Sequence, residues 1–254
     1  MMPKLSIYVM TFNNKDKIQD CLESVKWADE IVVMDSFSTD GTVEICRQYT
    51  NRIIQEKFTG FGALRNKAVA ACSYDWILSI DSDERCTEEL KKEVLALLKQ
   101  GPSCDAYHVP RKTYFLDTWV RHCGWYPDYR QPQFFNKQRM RYKDQLVHEG
   151  YELTGTLCYL KEHAIQYPFL NLEQFLAKMD RYSSLRAQEM FKEGKRFSII
   201  NIIINPFAMF FRMYVVKRGF LDGTIGLMLS LLYGYYYTMI KYVKLWEKTR
   251  QSLS

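Results

Sequence analysis

The stretch Ile77-Leu78-Ser79-Ile80-Asp81-Ser82-Asp83-Glu84-Arg85 decides how this chain is read. Its first half is a short apolar run of the kind that forms a strand covered on both faces. Its second half sets three acids within four residues. Buried acids without compensation are costly. In an open parallel sheet, however, the carboxyl ends of the strands are where ligands bind. The acids therefore point to a ligand edge, provided that the flanking sequence builds such a sheet.

Working outward, it does. Toward the N-terminus, KLSIYVMTF, EIVVMD and NRIIQEKF read as three more strands. KDKIQDCLESVKWA carries Ile18, Cys21, Leu22 and Val25 at helical spacing. SFSTDGTVEICRQY reads as a turn and then a helix, and LRNKAVAAC as a short Ala-rich helix. After the acids, TEELKKEVLALLKQG reads as a helix capped by Thr87 and stopped by Gly101. Strands alternating with helices predict an α/β, Rossmann-like sheet, mainly parallel, with helices on both faces.

From about 105 to 165 the sequence becomes rich in Tyr, Arg, His and Pro. AYHVPRKTY, RQPQFFN and RYKDQLVHEGYEL read as short strands of a small antiparallel extension on the sheet edge. From 171 the chain reads as helical. The expected organisation is a catalytic domain over 1–165 and a helical, amphipathic, membrane-associating region over 166–254.

The 254 residues are 47% hydrophobic and 25% charged, enough for a substantial core and against disorder. The net charge of +6 is spread along the chain and suits a phosphate-bearing substrate or an anionic membrane surface. No basic run or motif calls for nucleic acid. Seven scattered cysteines without a CxxC pair argue against a disulfide framework and for a reducing compartment. The opening MMPKLSIYVMTFNN reads as the first strand rather than as a signal peptide.

Asn13, Asp35, Asp81 and Asp83 end three of these strands and converge on one edge. A hard divalent cation carrying a diphosphate would compensate such acids. DSFSTDGT, residues 35–42, adds a polar turn opening a helix, and GFGALRN, residues 60–66, brings Arg65 and Asn66 to the same edge.

Taken in order, SIYVMTFNN, DSFSTDGT, ALRN and LSIDSDE resemble the successive signatures of the family 2 glycosyltransferases with the GT-A fold. The resemblance spans about the first 150 residues. It implies inverting transfer of a sugar from a nucleotide diphosphate donor, with Mg²⁺ or Mn²⁺. It further implies that Thr11 and Asn13 line the nucleotide, Asp35 hydrogen-bonds the base, and Arg65 and Asn66 meet the base or diphosphate. Asp81 would lie near the ribose and metal, and Asp83 would ligate the metal. His148 resembles the histidine that completes the metal or diphosphate site. Ser82 stands where many relatives have Ala. GWYPDYRQPQFF, LVHEG and KRGFLDGTIGL narrow the likeness to the subgroup that extends the inner core of bacterial lipopolysaccharide. That implies a UDP-hexose donor, UDP-glucose first, and a heptose acceptor on a lipid-linked core oligosaccharide.

Inverting transfer needs a carboxylate base for the acceptor hydroxyl. Asp128 and Glu149 are both candidates. Arg130 has the planar fork suited to phosphate or, equally, to pairing with a nearby acid. Trp119, Trp125 and Tyr126 form either an acceptor platform or a small core. The uncharged stretch 223–240 is near the lower length limit for a spanning helix, while FSIINIIINPFAMFF reads as too short and is broken by Pro206. The expectation is amphipathic helices on the cytoplasmic face of the inner membrane, with Arg212, Lys217, Arg218, Lys241, Lys244 and Lys248 near headgroups. A homo-oligomer is left open. The alternatives are the same fold acting on a polyprenyl phosphate or another surface polysaccharide, and a non-catalytic nucleotide-sugar-binding membrane protein.

Overall fold

Strand propensity and side-chain alternation build the sheet directly. In a computed structural model, which describes residues 2–129, 131–143 and 150–252, the first half runs β1 (Leu5–Thr11), α1 (Lys15–Val25), β2 (Glu30–Asp35), α2 (Thr42–Cys46), β3 (Ile53–Gln55), α3 (Phe61–Ala71), β4 (Trp76–Asp81), β5 (Glu84–Cys86) and α4 (Glu88–Gln100). β1 is hydrogen-bonded in parallel to β2 on one side and to β4 on the other. Successive side chains point to opposite faces. Leu5, Ile7 and Val9 thus join Ile31, Val33, Leu78 and Ile80 in one core with α1 and α4. Tyr8, Val32, Met34 and Ile77 join Leu64 and Ala68 of α3 in the other. Two covered faces explain why these strands read as continuous apolar runs.

α4 shows the local rules. The Thr87 side chain accepts from the Leu90 N–H at 3.1 Å, and Gly101 ends the helix at φ 83°.

The middle segment is more divided than its sequence suggests. AYHVPRKTY is split at Pro110 into β6 (Ala106–His108) and β7 (Arg111–Phe115), which turns into β8 (Thr118–Trp119). β9 (Phe134–Asn136) enters the main sheet antiparallel to β4 and to β6. RYKDQLVHEGYEL is not one strand. It forms β10 (Met140–Tyr142) and β11 (Tyr151–Leu153), an antiparallel pair. β12 (Leu157–Tyr159) then lies parallel to β6, and β13 (Ala164–Gln166) lies antiparallel to β5. The seven-stranded order is β12-β6-β9-β4-β1-β2-β3. β12 and β6 thereby bring Cys104 and Cys158, 54 residues apart, into a disulfide, whereas Cys21, Cys46, Cys72, Cys86 and Cys123 are buried free thiols. The sequence argues against a disulfide framework, and this single pairing is made by strand order, not by spacing.

The chain forms two compact units. The first comprises Met1–Arg111 and Tyr129–Gln166, and the second comprises Lys112–Asp128 and Tyr167–Ser254. The second unit therefore takes in an excursion from the middle of the chain. Its helices are α5 (Leu172–Lys192), α6 (Ile199–Phe211), a π turn (Arg212–Val216), a 3₁₀ turn (Gly219–Asp222), α7 (Gly223–Leu229), a π segment (Ser230–Tyr237) and α8 (Thr238–Gln251). α8 is tied to α5 through Lys244, whose Nζ meets Asp180 Oδ1 at 2.6 Å and Ser184 Oγ at 2.7 Å.

KRGFLDGTIGL closes this unit. Asp222 accepts from the His122 N–H and the His122 ring Nδ1, both at 2.8 Å. Gly219 and Gly226 allow backbone to approach backbone, since a Cβ on Gly226 would stand 1.8 Å from the Gly219 carbonyl oxygen. The π turn carries the apolar helix on from Phe211, so Ile199–Val216 makes an 18-residue stretch of mean hydropathy 1.7. Among the described residues this is the one helix long and apolar enough to cross a membrane. That corrects the reading of 197–211 as too short, because Pro206 does not end the helix.

Gly226→Ala should destabilise the protein by about 3 kcal/mol, since no flexible side chain can yield to the new methyl. Denaturant unfolding read by far-UV circular dichroism checks this, and a loss under about 0.5 kcal/mol would contradict the close approach.

Candidate active site

The three acids of the opening stretch have three different fates. The ladder between β1 and β4 continues as far as the Ser82 N–H, which donates to the Met10 carbonyl at 3.2 Å. The chain then turns tightly. Glu84 folds back under the turn, and its Oε2 accepts from the Asp81 backbone N–H at 3.0 Å. Its carboxylate is fully buried. Arg111 at the start of β7 compensates it at 3.1 Å, and the Gln133 amide donates to it at 2.9 Å. Burial pushes the Glu84 carboxyl up to about 7, against the pull of the Arg111 guanidinium. Glu84 is thus the internal brace of the turn.

Asp81 is held by Arg65. The guanidinium donates to both carboxylate oxygens from Nη2, at 3.0 and 3.1 Å, and from Nη1 to Ser79 Oγ at 3.0 Å. Its Nη1 also lies 3.4 Å from the Tyr8 hydroxyl. Arg65 is buried, so it is spent on the strand ends and reaches solvent little. Asn66 is likewise committed. Its amide accepts from the Tyr142 N–H at 3.0 Å and donates to the Tyr142 carbonyl at 2.8 Å, fastening β10 to α3. Asp83 sits on the turn between Asp81 and Glu84, half-buried, with the Gln166 amide 3.4 Å from its Oδ1.

On the other side of β1, Asp35 is fully buried. Its carboxylate accepts from the Ser38 N–H and the Gln55 amide, both at 3.0 Å, and from the Ser38 hydroxyl. DSFSTDGT is therefore shaped by its own acids, for Asp40 accepts from the Thr42 and Lys15 N–H groups at 3.0 Å. Asn13, at φ 49°, ties in by accepting from the Thr39 N–H at 2.9 Å. Thr11 is buried at the end of β1, and its Oγ1 finds no partner among the described residues. An orphaned hydroxyl at a ligand edge suits a missing ligand atom.

The first unit thus brings Thr11, Asn13, Asp35, Arg65, Asn66, Asp81 and Asp83 to the carboxyl edge of one sheet. Asp128 belongs to the second unit, as the last residue of its 112–128 segment. Arg130, His148 and Glu149 lie outside the described residues. Trp125 packs in the second unit's core, 6.5 Å from Phe115 and 6.1 Å from Tyr233. Trp119 meets Tyr126 edge to face at 5.5 Å, with the Arg121 guanidinium 4.4 Å over its ring. Sequence reading passed over Tyr8, Ser79, Arg111, Gln133 and the inward turn of Glu84. Arg111 carried one signal: it alternates with Thr113 and Phe115 on the buried face of β7.

Among the described residues no three His, Cys, Asp or Glu side chains cluster as a metal cage. Mg²⁺ needs no such cage, being bound by one or two carboxylates together with substrate phosphates and water. Asp83 and Asp81 fit that donor chemistry.

Arg65→Met should cost about 3 kcal/mol by leaving Asp81 facing buried groups without its cation. Adding Asp81→Asn should recover part of that loss. A double-mutant cycle from urea melts measures the coupling, and strict additivity would contradict the pairing.

The profile described as Glycosyl transferase family 2 matches residues 6–154, which includes every strand-end residue above. An uncharacterized glycosyltransferase of Rickettsia felis is 27% identical over 99% of this chain and 91% of its own length. The lipopolysaccharide core biosynthesis glycosyltransferase LpsC of Rhizobium meliloti is 29% identical, over 92% of this chain and 91% of its own. Among solved structures, S. aureus TarS residues 1–349 in complex with UDP-GlcNAc aligns at a TM-score of 0.49 and 17% identity, covering 98% of this chain and 92% of that one. With a mainly parallel sheet whose acids gather at the carboxyl edge, and a family match over more than half its length, the chain belongs to the family 2 glycosyltransferases and has their GT-A fold.

Proposed function

We propose that the chain moves a hexose, glucose first, with inversion from a UDP-sugar to a heptose of a lipid-linked lipopolysaccharide core. The observation that carries the reading is the Asp81-Ser82-Asp83 turn at the carboxyl edge of the sheet, braced from inside by Glu84 and Arg111. The likeness to LpsC along nearly the whole chain supports the acceptor class. Mg²⁺ or Mn²⁺, held by Asp83 with Asp81 and with His148 as a third candidate, would offset charge on the leaving diphosphate. Arg65 holds the Asp81 carboxylate in place through both of its oxygens. Thr11 and Asn13 line the nucleotide, and Arg130 meets phosphate. The candidate bases for the acceptor hydroxyl are the two carboxylates named from the sequence, Asp128 and Glu149.

The working place we propose is the cytoplasmic face of the inner membrane. α6 and its π continuation expose Ile200, Ile203, Ile204, Phe207, Phe211 and Val216, a stripe at helical spacing. Pro206 and Met213 on the opposite side are buried within the second unit. Asn205 of α6 donates to the Tyr242 hydroxyl of α8 at 2.8 Å, and α8 carries Lys241, Lys244, Lys248 and Arg250. Spanning would drag that charged neighbour toward hydrocarbon, so the stripe lies in the leaflet with Arg212, Lys217 and Arg218 at the headgroups. A second reading, transfer to a polyprenyl phosphate, is favoured by the one helix among the described residues that is both long and apolar enough to cross a bilayer.

Purified protein with UDP-glucose, Mg²⁺ and extracted heptose-bearing core lipid should release UDP, and EDTA should abolish the release. Asp83→Ala should lower kcat on the order of 10²-fold, and an unchanged rate would remove Asp83 from the site. Release with polyprenyl phosphate but not with core lipid would select the second reading. In a separate experiment, the protein should co-sediment with vesicles containing phosphatidylglycerol, and Ile203→Glu with Phe207→Glu should abolish co-sedimentation. Binding that survives both changes would rule out the stripe as the contact.

A further inference from the structure

The carboxyl edge of the first unit carries a second group of side chains, away from Asp35. β4, β6 and β12 all run in the same direction, because β9 is antiparallel to both β4 and β6 and β12 is parallel to β6. The ends of β6 and β12 therefore share the edge that holds Asp81. His108 ends β6 and Tyr159 ends β12, and the two are register partners. Their rings stack at 5.2 Å with 22° between planes. Tyr129 closes the group, 4.9 Å from Tyr159 and 5.5 Å from His108, and Tyr151 stands 6.1 Å from His108.

Two features set this group apart from core packing. Tyr159 is 58% exposed and Tyr129 37%, and neither belongs to the two cores that cover the sheet. His108, in contrast, is 4% exposed, yet its Nδ1 has no hydrogen-bond partner among the described residues. Buried polar atoms are nearly always satisfied. Burial holds the His108 imidazole below its usual range. An exposed tyrosine ring beside an unsatisfied ring nitrogen makes a surface that recognises a sugar ring, with its apolar C–H face against the tyrosine and a hydroxyl for the nitrogen. The place suits this as well. His108 lies two strands from Asp81, about 10 Å at the spacing of sheet strands, within reach of a short oligosaccharide whose end is being extended.

We propose that Tyr159 and Tyr129, with His108 beneath them, form the subsite that holds the acceptor saccharide one or more rings back from the hydroxyl that reacts. Tyr159, on an edge strand and largely in water, turns to lay its face on the sugar and opens Nδ1 of His108 to a sugar hydroxyl. The proposal rests on the reading of the chain as a transferase to a saccharide acceptor. It adds which residues select that acceptor. None of the three touches the reacting atoms, so their effect falls on acceptor binding.

The test is initial-rate kinetics with UDP-glucose and extracted heptose-bearing core lipid, varying each substrate separately. Tyr159→Ala should raise the acceptor KM about 10-fold and leave the donor KM and kcat near those of the parent. Tyr159→Phe keeps the ring and should restore the acceptor KM. His108→Phe keeps the buried shape, removes the acceptor nitrogen, and should raise the acceptor KM severalfold. An acceptor KM unchanged in Tyr159→Ala, or a donor KM that rises equally, would overturn the subsite while leaving the transferase reading intact. An inactive parent protein would overturn that reading and the subsite with it.

Discussion

Everything at the carboxyl edge depends on keeping two acids charged or braced where the sheet would otherwise exclude them. Arg65 does this for Asp81 and Arg111 does it for Glu84. The two cations arrive by different routes, one from a helix that follows β3 and one from a strand that begins after β6. Each is buried almost completely, so each forgoes hydration and requires its partner. The turn between the two pairs is thereby fixed at both ends, and Asp83 rides on it. A ligand at this edge meets a carboxylate whose backbone is already set, so little ordering is left to be done on binding.

The same economy explains which site residues were legible in the sequence. Strands, helices and the converging acids follow from periodicity, caps and strand ends, which are local signals. The roles of Arg65 and Asn66 do not. Both stand on α3 near the ligand edge, but Arg65 turns to Asp81 and Asn66 to the backbone of Tyr142, 76 residues away. Nothing in ALRN specifies those partners. Glu84 is the converse case: it looks like one more acid in a polar turn, and only the arrival of Arg111 and Gln133 shows why it faces inward. The Cys104–Cys158 pair and the division of RYKDQLVHEGYEL into β10 and β11 likewise depend on strand order, which spacing does not encode.

GFLDGTIGL has the appearance of a functional signature, and two of its three glycines and its aspartate are occupied with architecture. Gly219 and Gly226 clear a backbone crossing, and Asp222 gathers the N–H groups and ring of the His122 segment. Its neighbour α6 shows the opposite pattern, a helix whose outward apolar stripe is exposed among the described residues. One part of the second unit is over-determined by its own contacts, whereas the other leaves an apolar face in solvent.

That second unit is discontinuous in the chain, and this has a consequence for synthesis. Residues 112–128 leave the ribosome long before Asp222 and Gly226, the groups that will hold them. The first unit, by contrast, has all its strands once Gln166 has emerged. The first unit can therefore mature during translation while the excursion waits, with Phe115, Val120 and Cys123 lacking their later core partners Met213 and Leu229. A chain interrupted between Gln166 and Met213 would carry a finished sheet and an unfinished apolar loop, a form suited to recognition by chaperones and proteases.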